Sequence, residues 1–184
     1  MINLTNKVAV VTGGNSGIGY ASAKELAAQG ARVIITGRNK ETTEKAANEL
    51  GVTGIVADQS NLGQIDNLVA EVKSKFGKVD VLFLNAGVAS FSPVETATVE
   101  HYDTIMDSNV KGVYFTVQKF IPILNDGASV IFNTSVNAVL GMPNSGVYSA
   151  SKAALISLNR VLAVELAASL GVKWLLPQPG ACRE

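Results

Sequence analysis

Residues 7–19 read K-V-A-V-V-T-G-G-N-S-G-I-G, and this run decides the fold. Residues 7–12 are a short β-branched segment stopped by Gly13 and Gly14, the pattern of a buried strand. From Asn15 to Gln29 apolar residues recur at helical spacing until Gly30 ends them. Glycines at such a junction permit positive φ and let helix and sheet pack closely. They also let backbone N–H groups approach a phosphate, to which a helix N-terminus adds a favourable partial charge. A glycine cluster alone is a weak signal. Its place after a first strand, inside a β-α-β pattern, makes Thr12, Gly13, Asn15, Ser16, Gly17, Ile18 and Gly19 candidates for holding a pyrophosphate.

Outward from that run the chain alternates. A second strand is expected at 32–36, a polar helix at 39–50 and a third strand at 53–57. An amphipathic helix at 61–76, closed by Gly77, precedes a fourth strand at 79–84. Residues 99–124 read as one long helix interrupted near Asn109, where the break fits a polar residue exposed inside a helix. A fifth strand at 128–134, a helix at 147–169 and a sixth strand at 172–176 follow. Alternating strands and helices imply right-handed crossovers and a parallel sheet covered on both faces. The expected fold class is α/β, a doubly wound parallel β-sheet of Rossmann-like type, and residues 1–184 form one domain without repeat or linker.

Composition agrees. Hydrophobic residues make up 47% of 184 and charged ones 16%, with 17 glycines, as a buried sheet requires. A net charge of 0 without a basic stripe argues against nucleic acid as a partner. No apolar run reaches the length of a membrane span, and the N-terminus enters a strand without a signal-peptide pattern. The lone Cys182 fits a reducing cytoplasm. His101, expected just before a helix, has no Cys, His or paired carboxylate at ligand spacing, so no metal site is expected. Trp174 and the methionines read as packing groups.

The second strand ends Thr36-Gly37-Arg38. An acidic residue there would bind a ribose 2′-hydroxyl, as NAD(H) requires. The place is Gly37 instead, and the guanidinium of Arg38 suits a 2′-phosphate through paired hydrogen bonds. NADP(H) is therefore the preferred cofactor, with NAD(H) still open. Asp58, after the third strand, could receive an adenine amino group or cap the next helix. Asn85-Ala86-Gly87 ends the fourth strand with small residues that let backbone lie against a cofactor, while the Asn85 amide can tie neighbouring strands.

Tyr148 and Lys152 stand four residues apart, which puts phenol and ammonium on one helical face, one turn apart. A nearby ammonium favours the phenolate, so the tyrosine can exchange a proton with a carbonyl oxygen or an alcohol. Ser135 ends an apolar strand-like run, where its hydroxyl could hold the same oxygen. This constellation suits hydride chemistry, in which a nicotinamide handles the hydride and the protein the proton.

With these pieces placed, the chain resembles the short-chain dehydrogenase/reductase family. It matches that family's T-G-x-x-x-G-x-G at residues 12–19, N-A-G at 85–87, a helical Asn at Asn109, Ser135, and Y-x-x-x-K at 148–152. Five motifs in order are strongly specific. The resemblance implies that Tyr148 is the general acid/base, that Lys152 assists it and binds the nicotinamide ribose, and that Ser135 orients the substrate. It implies that Asn109 holds a water in a proton relay and that Pro179-Gly180 sits beside the nicotinamide. It also implies a homodimer or homotetramer through the helices at 99–124 and 147–169. Family members usually continue for several tens of residues, with a seventh strand and a segment closing over the substrate. The expectation is therefore a truncated or frame-altered member lacking the family's last strand. The activity expected is an NADP(H)-preferring interconversion of a small carbonyl compound and an alcohol; the alternative is a non-catalytic dinucleotide-binding protein. The loop 88–98 and the region of Met142 and Pro143 would line the substrate pocket, with Phe91, Val94 and Met142 favouring a partly apolar substrate.

Overall fold

The computed structural model describes residues 3–170 and 173–175. Apolar β-branched runs become strands: β1 (Val8–Val11), β2 (Arg32–Gly37), β3 (Thr53–Val56), β4 (Val79–Leu84), β5 (Leu124–Phe132) and β6 (Lys173–Leu175). All pair in parallel in the order β3-β2-β1-β4-β5-β6. Between them run α1 (Gly17–Ala28), α2 (Lys40–Leu50), α3 (Leu62–Phe76), α4 (Val99–Met106), α5 (Gly112–Phe120) and α6 (Gly146–Leu170).

Alternate residues of a strand face opposite sides of the sheet, and two cores result. Ala9, Val11, Val33 and Ile35 pack with Ala23 of α1 and Ala46 and Ala47 of α2. Val8, Val10, Leu82, Leu84, Val130 and Phe132 pack on the other side with α3, α5 and α6 through Leu68, Val117, Phe120 and Leu155. Burying each large apolar side chain of this kind contributes about 1.5–3 kcal/mol. Both faces are covered, as the doubly wound reading requires.

The boundaries shift where local chemistry overrides periodicity. The helical stretch 99–124 is interrupted around Asn109, where the sequence places the break, and ends earlier than expected. After α4 comes a π-helical turn, Asp107–Lys111, then α5, then a 3-10 turn, Ile121–Ile123, containing Pro122. Leu124 opens β5, four residues before the expected start. It pairs with Val79, but Ser129 pairs with Val81, so the intervening residues of β5 bulge around Asp80, and Gly127 takes φ +74° within them. Asn-Asp-Gly at 125–127 reads as a turn in sequence and is a bulge in the sheet. Helix N-termini are capped by Asn39, Asn61 and Thr98, whose side chains accept from the N–H three residues on. Capping of α3 thus falls to Asn61 and not to Asp58. His101 lies inside the first turn of α4 and not before it.

At the amino ends of the strands one carboxylate ties three of them. Asp80 accepts from the Val8 N–H at 2.9 Å, Lys7 Nζ at 3.0 Å and Asn125 Nδ2 at 2.9 Å. Burial opposes its ionisation, but the hydrogen bonds from Val8, Lys7 and Asn125 outweigh it and hold the carboxyl below its ordinary value of 3.8. A group lowered in this way stabilises the fold above its unfolded value and loses that contribution as pH falls through the folded one. Replacing Asp80 by Asn is therefore expected to cost about 1–2 kcal/mol at pH 7. Urea denaturation should show the gap closing once the pH is taken below 3.8. A gap that persists unchanged in acid would refute this account.

Candidate active site

The strand order reverses between β1 and β4, and in open parallel sheets ligands bind in the crevice at such a reversal, outside the carboxyl ends of the strands. Here the crevice is stitched at its base. Thr12 Oγ1 accepts from the N–H groups of Asn85 and Ala86, each at 3.0 Å. Asn85 Nδ2 donates back to the carbonyls of Thr12 at 3.0 Å and Gly13 at 3.1 Å. Asn85 Oδ1 accepts from Asn133 Nδ2 at 2.9 Å, carrying the stitch to β5. Gly13 adopts φ +63°, and a Cβ on it would stand 2.9 Å from Ala86 Cα. A Cβ on Gly19 would stand 2.3 Å from the Gly13 carbonyl. These glycines let the first loop settle against β4.

The result is an open cleft of about 440 Å³ lined by Gly13, residues 15–18, 37–39, 57–59 and 85–88, and Ser108. Ser16, the N-cap residue of α1, makes no side-chain cap hydrogen bond, so that helix start faces the cleft uncapped by its own side chain. Thr12 and Gly19 are not at the cleft surface: Thr12 is 2% exposed and acts through the stitch. Arg38 is exposed along the cleft. At Gly37 a Cβ would meet Thr43 Oγ1 at 2.4 Å and Asn15 Oδ1 at 2.9 Å, so an acidic side chain has no room there. Asp58 Oδ1 accepts from the backbone N–H and the hydroxyl of Ser60 at 2.8 and 2.7 Å, which orients the carboxylate at the cleft wall. Pro179 and Gly180 lie outside the described residues.

Behind Gly87 of the cleft wall stands Lys152 of α6, whose Nζ would lie 3.5 Å from a Cβ placed on Gly87. Lys152 is 5% exposed, and its Nζ donates to the Asn133 carbonyl at 2.9 Å while standing 5.8 Å from the Tyr148 ring centre. Burial pushes the Lys152 amine down to about 8. Ser135 caps a 3-10 turn, Val136–Ala138, by accepting from the Asn137 N–H at 3.2 Å. Its hydroxyl proton is thus available to an incoming oxygen. The Phe91 ring meets the Tyr148 ring edge-on at 5.6 Å.

Asn109 is the main departure from the sequence reading. It is 0% exposed, not a polar residue on a helix surface. Its Oδ1 accepts from the Val88 N–H at 2.7 Å, and its Nδ2 donates to the Val88 carbonyl at 2.9 Å and to Ser151 Oγ at 3.0 Å. Ser151 Oγ donates in turn to the Tyr148 carbonyl at 2.7 Å. Both amide donors are spent on protein, so any water at this side chain would have to use the remaining lone pair of the oxygen. Gly87 lies between the two groups: a Cβ there would be 2.9 Å from Asn109 Oδ1 and 3.5 Å from Lys152 Nζ.

Asn133, Ser151 and Gln59 were not singled out in sequence, although all three are wired into the site. Strand register could have found Asn133, since Leu84 pairs with Phe132 and so sets Asn85 beside it. Beyond Tyr148, the loops 88–98 and 135–146 are joined by Ser92 N–H to the Asn144 carbonyl at 2.8 Å. Phe91, Val94, Val139, Leu140 and Met142 are exposed on them, beside a second open cleft of about 340 Å³ that reaches Ser149. Among the described residues, no group of three or more His, Cys, Asp or Glu could hold a metal ion, and no helix is long and apolar enough to cross a membrane.

Comparison with known proteins bears on this geometry. The short chain dehydrogenase family pattern matches residues 7–183. An uncharacterised oxidoreductase of Staphylococcus aureus is 36% identical over 185 residues, covering 98% of this chain and 80% of its own. A short chain dehydrogenase of Burkholderia cenocepacia, solved in complex with NADP, superposes with a TM-score of 0.90 at 32% identity, covering 97% of this chain and 75% of its own. A blue fluorescent protein from a metagenomic library, solved with NADPH, gives 0.90 at 34% identity, with the same coverages of 97% and 75%.

The buried amine has a measurable consequence. Lys152 titrates near 8 when folded and at its ordinary 10.5 when unfolded, so between these values the unfolded chain binds more protons and stability rises with pH. Lys152→Met is expected to be more stable than the parent at pH 7, by about 1–3 kcal/mol. Guanidinium denaturation should show that advantage shrinking as pH rises from 8 to 10.5. An advantage independent of pH would contradict the assignment.

Proposed function

Because this chain belongs to the short-chain dehydrogenase family, a family of oxidoreductases, we propose that it interconverts a carbonyl and an alcohol with NADP(H) in preference to NAD(H). The observation that carries this reading is Lys152, its Nζ 5.8 Å from the Tyr148 ring and beside Gly87, which lines a glycine-walled cleft that Arg38 also lines. When bound, the dinucleotide supplies the hydride chemistry. The remaining work belongs to the chain. Tyr148 Oη gives a proton to the developing alkoxide in reduction and takes it from the alcohol in oxidation. The Ser135 hydroxyl donates to the same substrate oxygen and fixes its distance from Tyr148. Lys152, titrating near 8, can take up or pass on a proton close to neutral pH.

The glycine contacts at Gly13 and Gly19 support a pyrophosphate held by backbone, and the room denied to an acid at Gly37 supports recognition of a 2′-phosphate by Arg38. The exposed apolar side chains around the second cleft support a substrate with an apolar body. Exposed Val99, Tyr102, Tyr114, Val161 and Val164 support self-association through α4, α5 and α6. A single cysteine is compatible with a reducing cytoplasm.

Calorimetric titration is the first test. NADPH should bind more tightly than NADH, and Arg38→Ala should weaken NADPH by about 10–100-fold while leaving NADH nearly unchanged. Equal losses for both would remove the 2′-phosphate assignment. Against a panel of aldehydes and ketones bearing apolar groups, Tyr148→Phe should lower kcat at least about 100-fold without loss of NADPH affinity. Cofactor binding with no turnover by the parent chain would instead favour a binding protein.

A further inference from the structure

We propose that Gln59 is a positioning residue: its side-chain amide joins the Ala86 turn to the π-turn at Ser108 and so sets the shape of the dinucleotide cleft. The inference rests on the dinucleotide reading above. Gln59 follows β3, lines the cleft, and donates from Nε2 to the Ala86 carbonyl at 3.1 Å and to the Ser108 carbonyl at 3.0 Å. One amide nitrogen therefore bridges segments 27 and 49 residues further along the chain. Its Oε1 is buried without a hydrogen-bond partner. Turning the amide over would aim that oxygen at two carbonyls, so the orientation is fixed by repulsion as well as attraction. A merely convenient surface glutamine would not carry an orphaned acceptor.

The two carbonyls matter because of what adjoins them. Ser108 precedes Asn109, which grips Val88 at both its N–H and its carbonyl. Segment 86–88 is thus held at one end by Gln59 and at the other by Asn109, and Gly87 between them lies against Lys152. The seat is close-fitting, since a Cβ on Gly112 would stand 2.1 Å from the Gln59 carbonyl. Losing the Gln59 donor would release Ala86 and the π-turn together. The cleft wall would move, and Asn109 would move with it.

Gln59→Glu keeps the shape and replaces the donor with a carboxylate facing two carbonyl oxygens. Protonating that carboxyl restores one donor, so the defect should be relieved by acid. Of the charged groups nearby, Asp58 accepts from Ser60 and Asp107 pairs with Lys111 at 3.3 Å, so each already has a partner of its own. The experiment is calorimetric titration of the full chain with NADP⁺ at pH 8 and pH 5.5, each variant being expressed as a ratio to the parent at the same pH. Gln59→Glu should bind about tenfold more weakly at pH 8 and within about threefold at pH 5.5. Gln59→Met, similar in volume and neutral, should be weaker by a similar factor at both. If both bind as the parent does at both pH values and differ only in melting temperature, Gln59 is a brace and the proposal is overturned. If Gln59→Glu does not fold, Gln59→Met decides: parental affinity overturns the proposal, and a pH-independent loss upholds it. A parent that binds no NADP⁺ would bring down the dinucleotide reading itself.

Discussion

The hydroxyl of Thr12 receives two backbone N–H groups from the end of the neighbouring strand, and the site depends on that contact. A doubly wound sheet must part its connections where winding reverses, here between β1 and β4. Parting opens a crevice, but it also exposes strand ends whose N–H groups need partners. The Thr12 hydroxyl accepts two of them across the gap, Asn85 Nδ2 donates to the facing carbonyls of Thr12 and Gly13, and Asn85 Oδ1 passes the link to Asn133. Asn133 in turn presents its carbonyl to Lys152. A chain of hydrogen bonds therefore runs from the glycine loop to the amine on α6 without leaving the protein. Cleft wall and buried amine thus share one hydrogen-bonded framework.

Sequence period and glycine placement carried most of the fold. β1 and the glycine loop were legible because a buried parallel strand is uniformly apolar, and because a tight junction has few residue types to choose from. Tyr148 and Lys152 were legible because helical spacing fixes their relation in any context. What escaped was whatever depended on two distant segments at once. The motif order marks Asn109 as a site residue, but not its burial, because a polar side chain in an amphipathic helix usually faces water. Asn109 falls within the π-turn Asp107–Lys111, and there its amide meets Val88 and Ser151. Residues 125–127 had the letters of a turn, and no local signal says that Asp80 across the sheet will hold them as a bulge.

Opposite poles of the sheet are organised by different chemistry. At the amino ends, Asp80 gathers β1, β4 and β5 through a charge that is well paired and only 12% exposed. At the carboxyl ends, Lys152 is kept dry and charged at some cost to the fold. The first arrangement stabilises the fold and the second costs it stability, the kind of cost that a protein retains where a group serves something other than folding. The apolar loops beyond Tyr148 add a third element. Ser92 and Asn144 join them before any ligand arrives, which lowers the ordering entropy that a guest must overcome.

The π-turn has a consequence for how this protein can change over generations. A π-turn is a helix that has taken in one extra residue, and one residue is about 100° of helical rotation. Asn109 is therefore held by chain length as well as by side-chain identity. A codon lost between α4 and α5 would leave every functional letter in place and still swing the Asn109 amide away from Val88 and Ser151. Lineages carrying this site should tolerate substitution along the exposed side of the two helices far more readily than a single in-frame deletion at their junction.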